Sequence, residues 1–321
     1  MSALINMPFA DPKTFEALEV QESGLVNPRT RELIAPIIKG IPRFVAQEDD
    51  YATSFGWQWK KWHSTLSDQR SGEDEKRRLL RARTHFEEYD LTGLRILECG
   101  MGGGDDTEIL LDFPFAEVHS FDLSTAVERA VAVLDDPRLV VSQASIFEIP
   151  YRDRSFDVVF CHRVLQHTPN PSAALRSICR KVKPGGILFA HVYLKSWRYL
   201  MKYKYKYRPI ARRLSHQRVY ELLERYGPQL YRLNSLLHRN RLTGLLGNSF
   251  MPFEWLPNYG QRNDEDLLQL AKLVTFDALT PRYDRPMSSR RFRALLEQEG
   301  FAIEHFSDRS PLYATARLIK S

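Results

Sequence analysis

The stretch Leu94-Arg95-Ile96-Leu97-Glu98-Cys99-Gly100-Met101-Gly102-Gly103-Gly104-Asp105-Asp106-Thr107-Glu108-Ile109-Leu110 decides the fold. It opens as a short apolar β-rich run, closes as an amphipathic segment, and carries glycines at alternate positions between the two. Glycine belongs where a chain turns sharply out of a strand and its backbone must approach a ligand with no Cβ in the way. Working outward, the same alternation continues. AEVHSFD (116–122), RLVVSQ (138–143), SFDVVFC (155–161) and GGILFAHVY (185–193) read as strands, the last after a Lys183-Pro184-Gly185-Gly186 turn. DDTEILLDF (105–113), STAVERAVAVL (124–134, capped by Ser124) and PSAALRSICRKV (171–182) read as helices between them. Strands separated by helices of this size predict βαβ crossovers and a parallel sheet, an α/β fold.

The second strand ends in Asp122, about twenty residues beyond the glycine loop, where a carboxylate accepts hydrogen bonds from ribose hydroxyls. Loop and carboxylate together select a nucleoside cofactor. A dinucleotide site would want G-x-G-x-x-G facing a pyrophosphate. This loop is G-x-G-x-G, preceded by Glu98 and followed by Asp105 and Asp106. Those acids repel a pyrophosphate and favour the sulfonium and ammonium of S-adenosylmethionine (SAM).

Residues 94 to 193 resemble, in order, the class I SAM-dependent methyltransferases, specifically the group called methyltransferase type 11. ILECGMGGGDDTEIL is similar to that family's first motif and HSFDLS to its second; SIFEIPYRDRSFDVVFCHRVLQHTPNPSAALRSICRKVKPGGILF is similar to the region of the fourth strand and the following turn. The resemblance implies a Rossmann-like, seven-stranded, mostly parallel sheet. It places Glu98 and Gly100 near the amino-acid moiety of SAM and Met101 among the cofactor-binding residues, with Gly102 and Gly104 allowing close backbone approach. Asp122 would hold the ribose, Leu123 and Ile146 would flank the adenine, and Cys161 or His162 would line the floor near the methionyl end. Ser145 stands where the family usually has an aspartate that accepts from the adenine amino group; a hydroxyl accepts more weakly. KGIPRFV (39–45) and SFGWQW (54–59) resemble the arm preceding bacterial methyltransferases of glycan and secondary-metabolite pathways. Those relatives often carry a zinc ribbon there, but residues 1 to 93 hold no cysteine, so no Cys-ligated metal is expected.

The flanks divide the chain into four: an aromatic arm (1–72), the SAM-binding core (73–194), a helical basic insertion (195–263), and a helix with two strands (264–321) completing the sheet. The arm reads as irregular, with a short strand or two, and packs Phe55, Trp57, Trp59 and Trp62 within eight positions. Residues 73–89 have a helical charge pattern with Leu79, Leu80 and Phe86 as the apolar face. Arm and insertion are expected to cap the acceptor pocket. Three cysteines, an odd number, and the lack of a signal-peptide pattern or an apolar run of membrane-spanning length predict a cytoplasmic protein without disulfides.

Methyl transfer from a sulfonium needs the acceptor positioned and one proton removed. The loops after strands four and five nominate His162, His191 and Tyr193 as bases, while His167 in VLQHTPNP reads as packing. Trp57, Trp59, Phe276, Asp277, Tyr283 and Asp284 serve either as acceptor contacts or as packing of the additions. The basic stretch WRYLMKYKYKYRPIARRL (197–214) is either the solvated face of helices or a surface for an anionic acceptor, an anionic membrane or RNA. The expected reaction is methylation of an oxygen, ahead of a nitrogen, on a small-molecule or glycan-like acceptor. An RNA or protein methyltransferase and a non-catalytic SAM-fold binding module remain as alternatives. The sequence carries no signal for oligomeric state.

Overall fold

The computed structural model describes residues 9–45, 51–62, 75–256 and 263–319. Its contacts group the chain into two units. One holds the residues up to Asp50, Leu80–Leu194 and Tyr283 onward; the other holds Tyr51–Leu79 and Lys195–Arg282. The grouping therefore joins the aromatic segment after Tyr51 to the insertion, and returns the chain to the first unit at Tyr283 rather than at 264.

The first unit begins with four short antiparallel strands, β1 (Glu19–Gln21), β2 (Gly24–Val26), β3 (Leu33–Ile38) and β4 (Ile41–Pro42), more regular than the arm's Pro-rich sequence predicts. Its main sheet has seven strands: β5 (Arg95–Cys99), β6 (Glu117–Asp122), β7 (Leu139–Gln143), β8 (Phe156–Cys161), β9 (Val182–Val192), β10 (Phe301–Ser307) and β11 (Leu312–Leu318). Their spatial order is β10-β11-β9-β8-β5-β6-β7, with β5 to β9 parallel and the last two antiparallel. Strand β5 lies between β6 and β8, so the strand order reverses there. In such sheets ligands bind in the crevice outside the carboxyl ends at that point.

Alternate residues of each strand feed two cores. Leu97, Cys99, Val159 and Cys161 pack on one face, and Ile96, Val158, Phe160 and Phe189 pack on the other with Phe86, Phe113 and Phe115. Burial on both faces explains why these strands read as near-continuous apolar runs. The covering helices are α3 (Asp105–Leu110), α4 (Val127–Val133), α5 (Pro171–Cys179) and α11 (Ser289–Gln298). Asn170 and Ser288 cap the last two by accepting the Ala173 and Arg291 amides. Ser124 does not cap α4 as the sequence predicts. Its hydroxyl donates to Asp122 at 2.7 Å, and the helix starts at Val127. Nor is the Lys183–Gly186 segment a turn before the strand. It is carried inside the eleven-residue β9 as an irregularity against β8, with Gly185 at φ 77°.

The second unit is helical: α1 (Thr53–Lys61), α6 (Trp197–Leu200), α7 (Tyr203–Ala211), α8 (His216–Leu237), α9 (Arg241–Phe250) and α10 (Asp264–Leu279). Helix α2 (Glu75–Thr84) runs across the boundary, burying Leu80 and leaving Leu79 exposed. Trp57 stacks on Phe276 with ring centroids 5.0 Å apart, inside a core that holds Trp62, Leu223 and Phe253. The arm's aromatic cluster thus has a packing role within this unit. Lys204 and Arg208 are buried as well; Arg208 donates to the Ala278 and Pro281 carbonyls, and Lys204 lies over the Tyr199 ring.

Candidate active site

Strand β5 ends at Cys99, and the next five residues turn back toward the sheet. The Gly100 and Met101 amides both donate to the Phe121 carbonyl, at 2.8 and 3.0 Å. Gly100, Gly102 and Gly104 all have positive φ, at 87°, 54° and 93°, so the alternation of glycines is a backbone requirement here. At Gly100 an added Cβ would also lie 2.2 Å from Val164 Cγ2, and at Gly104 2.9 Å from Leu134 Cδ1. Loop and strand tip are fastened to each other: the Gly102 amide donates to Asp122 Oδ2 at 2.9 Å. Asp122 Oδ1 accepts from the Ser124 amide and hydroxyl, at 2.8 and 2.7 Å. Burial raises the Asp122 carboxyl above its usual range, against the pull of these bonds.

Glu98, 1% exposed, accepts from the Thr107 and Ser120 hydroxyls at 2.6 and 2.8 Å. Leu123 and Ile146 are both buried apolar residues. Ser145 uses its hydroxyl to accept the Phe147 amide at 3.2 Å, a local turn bond. Cys161 is fully buried, which pushes its thiol up, with Glu98 adding to the effect.

The acids after the glycines are engaged within the protein. Arg129 pairs with Asp105 at 3.1 Å and also donates to the Gly103 carbonyl. Asp106 Oδ2 lies 2.7 Å from His162 Nδ1. A carboxylate only accepts, so Nδ1 carries the proton and Nε2 the lone pair. That Nε2 is buried and has no hydrogen-bond partner among the described residues. Burial lowers the imidazole to about 4, although Asp106 favours its cation. The ring is therefore neutral at pH 7.

His191 meets His162 edge to face at 5.0 Å, and Tyr193 follows at 6.0 Å from His191, so the three candidate bases form one row beside the ends of β8 and β9. His191 Nδ1 accepts the Arg163 amide at 3.2 Å, and burial holds this imidazole well below its usual value. His167 bonds the Tyr283 carbonyl at 3.1 Å, a packing role.

Two features escaped sequence reasoning. Asp106 is the partner of His162, 56 residues away, and no spacing rule connects them. Arg43 of the arm, 6% exposed, donates to Gln143 at 2.9 Å and pairs with Glu128 at 3.0 Å; Gln143 in turn donates to the Leu123 carbonyl at 2.8 Å. Elsewhere His85, Glu88 and His305 bring potential metal-ligating atoms within 4.8 Å of one another. The two imidazoles are stacked at 3.7 Å with planes 3° apart, and Glu88 already bonds both, at 2.8 and 3.0 Å. Parallel stacked rings cannot both direct in-plane lone pairs at a shared ion, so the trio is described as a carboxylate bridging two histidines.

Residues 97–190 match the family described as "Methyltransferase domain". That segment is a class I SAM-dependent methyltransferase domain. A likeness to curated proteins covers about a third of the chain. A ubiquinone biosynthesis O-methyltransferase of Pseudomonas fluorescens is 34% identical over 112 residues, 32% of this chain and 46% of that protein. One from Xanthomonas oryzae is 34% identical over 111 residues, 31% and 43% respectively. The chain thus spans less than half the length of the curated relatives it matches. Among solved structures, a SAM-dependent methyltransferase from Mesorhizobium loti is 17% identical at TM-score 0.42, covering 75% of this chain and 96% of that one. The Burkholderia thailandensis 1,6-didemethyltoxoflavin-N1-methyltransferase is 14% identical at TM-score 0.45, covering 86% and 92%.

Proposed function

We propose that this chain is an enzyme transferring the methyl group of SAM to an oxygen, ahead of a nitrogen, of a small-molecule or glycan-like acceptor. The observation that carries the reading is the Asp106–His162 pair beside the methyltransferase domain's glycine loop. It is a buried neutral imidazole with one nitrogen held by a carboxylate and the other without a hydrogen-bond partner among the described residues. The O-methyltransferase names of the curated relatives support oxygen as the acceptor atom.

The residues fit the cofactor. Asp122 stands at the tip of its strand, fastened to the glycine loop through Gly102 and to Ser124, and its carboxylate is the acceptor for a ribose hydroxyl. Leu123 and Ile146 supply apolar faces for an adenine, with Ser145 at its amino edge. Glu98, Gly100, Met101, Gly102 and Gly104 surround the amino-acid end, and Cys161 lies on the floor. When bound, SAM supplies a methyl group on an already activated sulfonium. The chain's own task is then positioning and one proton transfer. His162 Nε2 takes the acceptor hydroxyl proton while Asp106 holds Nδ1–H and offsets the imidazolium charge. His191 spends Nδ1 on the Arg163 amide, so its other nitrogen is a donor, and it serves with Tyr193 to position the acceptor. The RNA alternative loses support because Lys204 and Arg208 of the basic stretch are buried and bonded internally.

Calorimetric titration with SAM and S-adenosylhomocysteine tests the first half of this reading. Micromolar binding lost in Asp122→Ala and in Gly102→Val is expected; no binding by the native chain overturns it. Radiolabelled methyl transfer to a panel of phenols, catechols and hydroxylated glycans tests the second half.

A further inference from the structure

Helix α9 faces the wrong way for a helix of a water-soluble surface. Its apolar residues Leu242, Leu245, Leu246 and Phe250 recur at the spacing of one face, yet are 74%, 64%, 56% and 53% exposed. The buried side of the helix is made of glycine. A Cβ at Gly247 would lie 2.7 Å from Asn234 Oδ1 and 2.8 Å from His238 Cε1, and one at Gly244 3.2 Å from His238. The close glycine contact fixes the helix against α8 with its leucines outward. The apolar stripe continues past the helix end: Lys206 Nζ donates to the Ser249 and Met201 carbonyls at 2.6 and 3.2 Å and lies over the Phe250 ring at 4.0 Å. Met201 is 49% exposed, and Trp197, one helical turn before it, is 72% exposed.

Charge selects the occupant. Between Lys195 and Arg241 there are thirteen lysines and arginines against Glu221 and Glu224, a surplus of eleven; the whole chain nets +6, so the remainder is acidic. Arg198, Arg232, Arg239 and Arg241 are all exposed in the same segment. Such a surplus repels a second copy of itself. Leu242, Leu245, Leu246 and Met201 offer RNA bases nothing to stack on, and the Phe250 and Trp197 rings already lie under Lys206 and Arg198, whereas leucines with flanking arginines match the acyl boundary and headgroups of an anionic bilayer. Among the described residues no helix is long and apolar enough to cross a membrane, so the contact is one of lying on the surface.

We propose that the outward face of α9, continued by Met201 and Trp197, is an interfacial anchor that seats the helical unit on an anionic membrane surface. The proposal stands apart from methyl transfer, and its test needs no turnover. The full chain is sedimented with phosphatidylcholine vesicles with and without about 30% phosphatidylglycerol. Binding should require the anionic lipid, weaken as salt rises, and fall by about tenfold or more in Leu242→Glu/Leu246→Glu, whose circular dichroism should match the native chain because both sites face solvent. Absence of vesicle binding overturns the proposal, as does anionic binding that the double substitution leaves unchanged. Loss in that variant of a concentration-dependent dimer, with no vesicle binding by the native chain, would assign the face to a second copy instead.

Discussion

At neutral pH His162 has given up its charge to burial but kept a lone pair, which is the state a proton acceptor needs. Replacing it with glutamine preserves a donor toward Asp106 and removes that lone pair. His162→Gln should lower kcat by about 10²- to 10⁴-fold while SAM affinity stays within about threefold. Turnover within about threefold of native would move the proton to another group or to water. The chemistry also fixes a spectroscopic signature: with its value near 4, the His162 ring should show no titration by NMR between pH 7.5 and pH 5. A midpoint near 6.5 would mean that water reaches the ring. His162 was readable as a candidate because imidazole on a strand-four loop is suited to this chemistry. Asp106 was not: in sequence it reads as a loop acid awaiting a cationic ligand, and only the fold turns it onto the histidine.

The strand–loop–helix element shows why some of the site is legible and some is not. Positive φ at Gly100, Gly102 and Gly104 leaves a sequence trace, since other residues adopt it at a cost. The steric reason for Gly100 leaves none, because Val164 sits 64 positions away. Gly100→Ala places a Cβ 2.2 Å from Val164 Cγ2 and should destabilise the chain by about 2 kcal/mol or more in urea unfolding. Gly100→Ala/Val164→Ala should recover part of that loss but not the conformational share. Additivity of the two single effects would show that the valine is not what excludes the side chain. The arm contributes through Arg43, whose contact with Gln143 steadies the backbone at Leu123. Arg43→Met keeps much of the apolar stem but breaks both its hydrogen bond and its pair with Glu128. It should weaken SAM binding by about tenfold through a group that does not touch the cofactor. Affinity equal to native would confine the arm to a structural role. Nothing in KGIPRFV marks Arg43 for this, because the bond forms across 100 residues.

Over the whole molecule, the parallel sheet was legible because strands buried on both faces cannot disguise their apolar runs, and because the antiparallel closing pair follows its own helix. The boundary at Tyr51 was not, because Trp57 and Trp62 read equally well as a lid or as packing until Phe276, more than 200 residues later, is seen against both of them. The same burial that hides these partners makes stability depend on acid. His162, His191 and His119 are each buried and held below the usual imidazole value, chiefly by desolvation. Near pH 5 the unfolded chain protonates all three, while the folded chain keeps at least His162 and His191 neutral. Unfolding therefore takes up protons, and stability falls as pH falls. Two such histidines imply a loss of roughly 2 to 3 kcal/mol per pH unit between about pH 6 and pH 5. The lowered carboxyls of Glu117, to about 2, and of Glu128 act in the same direction but only at lower pH, below the ordinary carboxylate value. Urea unfolding at intervals from pH 7.5 to pH 5 measures the slope, and His162→Gln should remove about one proton's share of it. A flat profile over that range would mean that the imidazoles are protonated inside the fold. The row beside the ends of β8 and β9 would then be a cationic cluster rather than a proton acceptor.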